Sequence, residues 1–213
     1  MDKGKRTKQE RAAVFPLAVA LPRASIEVLG EAVETVGDMF GTEPECAKAA
    51  ALLWAIGDYL GYTLDVRPVS LIAHQASTEN FVVMGPKAAA QIPESLLAGA
   101  NYSLLEGENL GHVVLTCEEP RLLLDPTLRQ LRNGSLNAPS LLAGIDSTHP
   151  DSGEWHVQIG DLEVRYLLDD DNRALLEGFD EAVDFYSATA RNLGKGLRAG
   201  ATASWIRQQT MDA

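Results

Sequence analysis

Apolar residues recur along this chain with two different periods, and the change from one to the other divides it. From Ile26 to Phe40, the residues Ile26, Leu29, Val33, Val36 and Phe40 fall on one side of a helix. Ser25 suits its N-cap, and Gly37 and Gly41 mark its end. A second helix follows almost at once. Thr42 with Glu45 three residues on has the form of a capping box, Pro44 fits a first turn, and the apolar run to Leu60 stops at Gly61. The face built on Ala50, Leu53, Trp54 and Ile56 reads as core, so the two helices are expected to pack as a pair.

After Gly61 the period shortens. Tyr62 to Ala73 has the β-branched and apolar content of a strand, closed by His74-Gln75, with Pro68 assigning part of it to an edge or a bulge. Asn80 to Met84 reads as a further strand broken by Gly85-Pro86. Lys87 to Gly99, interrupted by Pro93, reads as two short helices or a helical lid, and Asn101 to Asn109 as a polar connection. His112 to Thr116 and Arg121 to Asp125 form the arms of a hairpin. Pro120 has no N–H for a ladder, so Glu118 to Arg121 becomes the turn. Thr127 to Asn133 suggests a turn of helix, and Trp155 to Ile159 with Leu162 to Leu167 a second hairpin around Gly160-Asp161. Asp169-Asp170-Asp171-Asn172 opens a final helix with an apolar side to about Asn192. The expected class is α+β: a tail and lead-in over residues 1–24, one domain over 25–192, and a short helix or loose end around Trp205-Ile206 in 193–213.

Composition narrows the function. With 213 residues and 46% apolar content the chain can bury a sizeable core, and its net charge of −12 disfavours nucleic acid and anionic membrane surfaces as partners. The basic stretch Lys3 to Arg11 precedes an apolar one, but Pro16 and Pro22 interrupt the run. A basic tail is the expectation there rather than a signal peptide, and no apolar run has the length of a membrane span. Two cysteines, Cys46 and Cys117, do not make a disulfide framework, so a reducing, cytoplasmic setting is expected.

That setting would keep a thiol reactive. Cys46 lies at a helix start, where unpaired N–H groups and the dipole favour the thiolate. In the first hairpin a four-residue loop would set Cys117 opposite Leu122 and make His112 and Asp125 diagonal neighbours on one face; a two-residue loop would oppose them directly, and a three-residue loop would put them on opposite faces. A carboxylate there fixes the imidazole tautomer and stabilises the imidazolium. Cys117, at odd parity from His112, points to the other face.

A thiol at a helix start, a strand histidine and an aspartate one strand later give the chain order of papain-like and transglutaminase-like cysteine enzymes. Leu123-Leu124-Asp125-Pro126-Thr127 resembles the strand and Asp-Pro-Thr ending of the transglutaminase-like core. The resemblance covers about residues 42 to 130. It implies N-terminal helices packed on an antiparallel sheet with a C-terminal helix, Cys46 as nucleophile, His112 as general base and acid, and Asp125 as orienting residue. Two departures stand out: Ala47-Lys48 follows the cysteine where aromatic or glycine neighbours are common, and the gap to His112 is long, with an insertion around 75 to 110.

Other groups carry weaker chemistry. His74 is a rival base for Cys46; Gln75 offers an amide to an oxyanion, and Trp54 a substrate wall, although packing is the simpler role for the indole. The three aspartates lack the alternation of a calcium loop, His149 and His156 lie seven apart without a cysteine, and Gly194-Lys195-Gly196 lacks the strand and spacing of a phosphate loop. No metal or cofactor is expected. The expected activity is cysteine-dependent acyl transfer on a peptide or protein substrate, as a peptidase, deamidase or transglutaminase. The alternative is an interaction module that keeps the fold without the chemistry. Glu43 and Glu45, which oppose a lowered thiol pKa, favour that alternative.

Overall fold

The computed structural model describes residues 22–93, 102–104 and 110–211; the expectations for the basic tail and for most of 94–109 lie outside them. Two helices, α1 (Ile26–Phe40) and α2 (Cys46–Leu60), lead into β1 (Leu64–Gln75), β2 (Asn80–Met84), the single turn α3 (Pro86–Ala89) and β3 (Tyr102–Leu104). The first hairpin is β4 (His112–Cys117) and β5 (Leu122–Asp125), followed by a 3-10 segment (Leu128–Gly134) and β6 (Leu141–Gly144). The second hairpin, β7 (Glu154–Ile159) and β8 (Leu162–Leu168), is followed by α4 (Arg173–Arg198) and α5 (Ala203–Met211). Mixed α+β architecture is therefore borne out.

The strands form one sheet, antiparallel except where β2 meets β3. β1 is its axis. Val69 stands between His112 and Leu168, and Leu71 between Met84 and Tyr166. β8 thus runs along one edge of β1, while β4 and then β2 share the other, end to end. Around this long strand the sheet curls until it nearly closes. One cluster fills its inner face, with Val69 and Leu71 from β1, Met84 from β2, Val114 from β4, Leu123 from β5 and Tyr166 from β8. The alternate residues Val113, Leu115, Cys117, Leu122 and Leu124 point outward into a second cluster shared with α1, α2 and α4. Cys117 is thus on the helix side, as the parity requires. Burial, the largest effect, pushes its thiol pKa up, and Sγ donates to the Glu119 carbonyl at 3.4 Å.

Pro68 sits inside a paired strand rather than at a bulge, opposite Val113. Its carbonyl accepts from Asp169 N at 2.9 Å, on the edge where β8 has already ended, so the missing N–H on that side costs no ladder bond.

The expected capping box does not form. Glu45 is itself the N-cap residue and Cys46 the first of α2, with no side-chain cap bond. The Glu45 carboxylate is taken by Lys48 Nζ at 2.6 Å, and the Thr42 carbonyl accepts from Asn133 Nδ2 at 2.9 Å. Packing holds the helix instead. Leu52, Leu53, Ile56 and Leu60 are wholly buried, and each contributes about 1.5–3 kcal/mol, against about 1 kcal/mol for a cap.

Two further expectations are corrected. α4 does not stop near Asn192 but continues to Arg198, because Gly194 lies flat on the Tyr59 ring: a Cβ there would stand 2.5 Å from Tyr59 Cδ1. Part of the expected polar connection is β3, and β6 has no counterpart in the sequence reading. No helix among the described residues is long and apolar enough to cross a membrane.

Candidate active site

The site begins at Gly111, one residue before β4 and at the point where β1 exchanges β2 for β4 as its neighbour. Its φ of +100° suits glycine, and a Cβ would lie 2.6 Å from the Val69 carbonyl oxygen. The close approach sets His112 in register with Val69. Hairpin pairing of Cys117 with Leu122 then brings Asp125 to the same inner face, and His112 Nε2 donates to Asp125 Oδ2 at 2.8 Å. The diagonal relation expected from a four-residue turn is what the register produces.

Asp125 is wholly buried, and all its partners are donors. Oδ2 accepts from both His112 Nε2 and the Tyr166 hydroxyl, the latter at 3.0 Å. Oδ1 accepts from Thr127 N at 3.0 Å and from Thr127 Oγ1 at 3.4 Å. A buried carboxylate needs such company to remain charged. Tyr166 is well placed to keep donating. Burial first, then the charge of Asp125 and the hydrogen bond to it, hold its pKa well above the ordinary 10.0.

His112 is 1% exposed. Burial, the largest influence, works against a charged ring. The charge and hydrogen bond of Asp125, joined by the neighbouring Cys46, outweigh it and raise the pKa well above 6.5. Nε2 is committed to Asp125, whereas Nδ1 is buried without a hydrogen-bond partner and is the nitrogen open to the neighbouring Cys46. Held in this way, the ring keeps a proton on the aspartate side, and Nδ1 is the position at which a proton can be exchanged with a thiol.

Cys46 comes from the helix layer. It is buried, at the first position of α2, and opens on a cleft of about 770 Å³. The floor and near wall are Glu45, Cys46, Ala47 and Lys48; Leu110 and Gly111 form an end, and the far wall is α4. The first three amides of an α-helix have no partner one turn back, and no side chain among the described residues caps this end, so the Cys46, Ala47 and Lys48 N–H groups can receive negative charge developing beside the sulfur.

The other sequence candidates lie elsewhere. Gln75 is at the far end of β1, its Oε1 accepting from Asn137 N at 2.9 Å and its Nε2 held by Asp161 and Ser77. It is a strand-end clamp and does not line the cleft. Trp54 stands two turns along α2, donating to the Leu64 carbonyl at 2.9 Å with its ring edge-on to Phe179, so it packs rather than walls a substrate. His74 is exposed and pairs across the sheet with Phe81 and Glu163. Asp169 and Asp170 pair with Lys87 and Arg67, and among the described residues no three His, Cys, Asp or Glu side chains cluster as a metal site.

Tyr166 and the α4 wall were not anticipated. Tyr166 occupies an ordinary apolar position of an alternating strand, and nothing local marks it as polar-bonded. Compared with known proteins, the chain matches no family model, no curated protein and no solved structure.

Proposed function

We propose that this protein is a cysteine-dependent acyl-transfer enzyme built on a papain-like or transglutaminase-like core, with Cys46 as nucleophile, His112 as base and acid, and Asp125 as orienting residue. One observation carries the reading: the buried, donor-saturated Asp125 holds His112 by Nε2, Nδ1 is buried without a hydrogen-bond partner, and the neighbouring Cys46 lies at a helix N-terminus that lines a cleft. A merely structural His–Asp bond would need neither the thiol nor the opening.

His112 Nδ1 takes the Cys46 proton, and the sulfur attacks an amide or thioester carbonyl. The resulting oxyanion is held by the free amides at the start of α2. The imidazolium then protonates the departing amine or thiol, leaving an acyl group on Cys46. Water or an amine attacks that acyl group as His112 removes its proton, which frees the enzyme and gives hydrolysis or transfer. A reducing compartment and a peptide or protein substrate fit this chemistry.

The test is alkylation by iodoacetamide as a function of pH, read by mass spectrometry at Cys46 and at Cys117 in the same sample. Cys46 is expected to label fast well below pH 8, at a rate lost in His112→Ala, while Cys117 labels slowly. Equal, slow labelling of both cysteines would overturn the proposal in favour of a non-catalytic interaction module.

A further inference from the structure

The cleft beside Cys46 has a chemistry of its own. Its α4 wall is a single stripe, Leu175, Gly178, Ala182 and Phe185, spanning about 15 Å at 1.5 Å per residue. Small residues stand in the middle and large ones at the ends. The nearest atom to a Cβ built on Gly178 would be Ala47 Cβ, at 3.7 Å. The hollow over Gly178 is therefore bounded on one side by Ala47, the residue next to Cys46. At one end Leu175 lies 3.6 Å from the position a Cβ would take at Gly111. At the other, Phe185 meets Tyr186 edge-on at 4.9 Å, and Tyr186 meets Phe40 at 6.0 Å.

This apolar hollow is kept open to water. Among the described residues five large apolar side chains are markedly exposed, and two of them, Leu110 at 52% and Phe185 at 77%, stand on this one cleft. Exposed apolar surface gathered at a concavity marks a binding site more than a random surface does. Its charges are equally one-sided. Glu45 is neutralised by Lys48 at 2.6 Å, whereas Glu181, one turn along α4 from Gly178, has no ion-pair partner among the described residues.

From this we infer that the cleft selects acyl donors with a leucine- or phenylalanine-sized side chain beside the reactive carbonyl and a basic residue next to it: the apolar group fills the hollow over Gly178 and the cation faces Glu181. The inference rests on Cys46 being the nucleophile and adds what that nucleophile accepts. Acidic donors are excluded twice, by the hollow and by the net charge of −12.

Peptidyl chloromethyl ketones test it, because the thiolate displaces chloride and the new carbon–sulfur bond is counted at Cys46 by mass spectrometry, whatever the second acyl acceptor. Four probes suffice: leucine, glycine or aspartate beside the ketone behind a lysine, and leucine behind a glutamate. The lysine–leucine probe is expected to label at least about tenfold faster than the glycine and aspartate ones, a ratio typical of filling an apolar pocket. Gly178→Leu fills the hollow and is expected to collapse the leucine-to-glycine ratio towards one, and Glu181→Gln to collapse the lysine-to-glutamate ratio. Each ratio is internal to one variant, so a general loss of reactivity does not mimic either result. Fast iodoacetamide labelling of the wild-type protein with equal rates for all four probes would overturn the selectivity and leave the nucleophile standing. Slow labelling by iodoacetamide and by every probe would remove the nucleophile, and the selectivity with it.

Discussion

Replacing Tyr166 with phenylalanine removes one oxygen from the centre of the molecule and leaves the ring that packs there. The hydroxyl donates at 3.0 Å to a carboxylate with no exposure to water. A hydrogen bond to a charged group is worth about 1.5–3 kcal/mol, and Asp125 Oδ2 keeps His112 as its other donor, so a loss of about 2 kcal/mol is expected at neutral pH. For a domain of this size that lowers Tm by about 4–8 °C. The pH dependence is more specific. A tyrosine in the unfolded chain ionises near pH 10, whereas Tyr166 holds its proton well above that in the folded state. Its stabilisation is therefore complete below about pH 10 and declines above it by about 1.4 kcal/mol per pH unit, a decline that phenylalanine cannot show. Urea unfolding of both proteins between pH 7 and 11 should give a gap that is level to about pH 10 and then narrows. A variant as stable as wild type at pH 8, or a gap unchanged from pH 9 to 11, would refute the role given to this hydroxyl.

Two other expectations concern the same network and its neighbourhood. His112 has a raised pKa, so its ion pair with Asp125 contributes fully below about pH 6.5 and is lost as pH rises through the folded value; the stability difference between wild type and His112→Gln should be largest near pH 6 and shrink towards pH 9, and a difference growing with pH would contradict it. Gln75→Ala orphans the Asn137 N–H and should cost about 1–3 kcal/mol by urea unfolding. It should leave the iodoacetamide rate at Cys46 unchanged, and slower labelling would return Gln75 to the site.

The hairpin of β4 and β5 was legible because strand parity and turn length are local: one proline and a four-residue loop suffice to place His112 diagonal to Asp125. The position of Cys46 at a helix start was legible for a related reason, although the helix begins later than Thr42 and without the box, since Lys48 competes for Glu45. Gln75 and Trp54 show where such reading stops. Both are of the right chemical type, but their partners, Asn137, Asp161, Leu64 and Phe179, are distant in sequence. The end of the last long helix was placed too early for the opposite reason: glycine is a weak helix former, yet the contact of Gly194 with Tyr59 makes it necessary there. Tyr166 was hidden because a buried strand position looks the same whether or not its hydroxyl has a partner.

The late strand β8, which carries Tyr166, also sets a timetable. Ribosomes release the N-terminal part of a chain first, and Cys46 precedes Tyr166 by most of the sequence. While the helices and the first hairpin emerge, Asp125 lacks the donor that β8 brings, and the edge of β1 opposite His112 stands bare. A nascent or truncated polypeptide would thus carry Asp125 without one of its donors. The order of synthesis itself leaves the carboxylate that holds His112 incompletely satisfied until the last strand is in place.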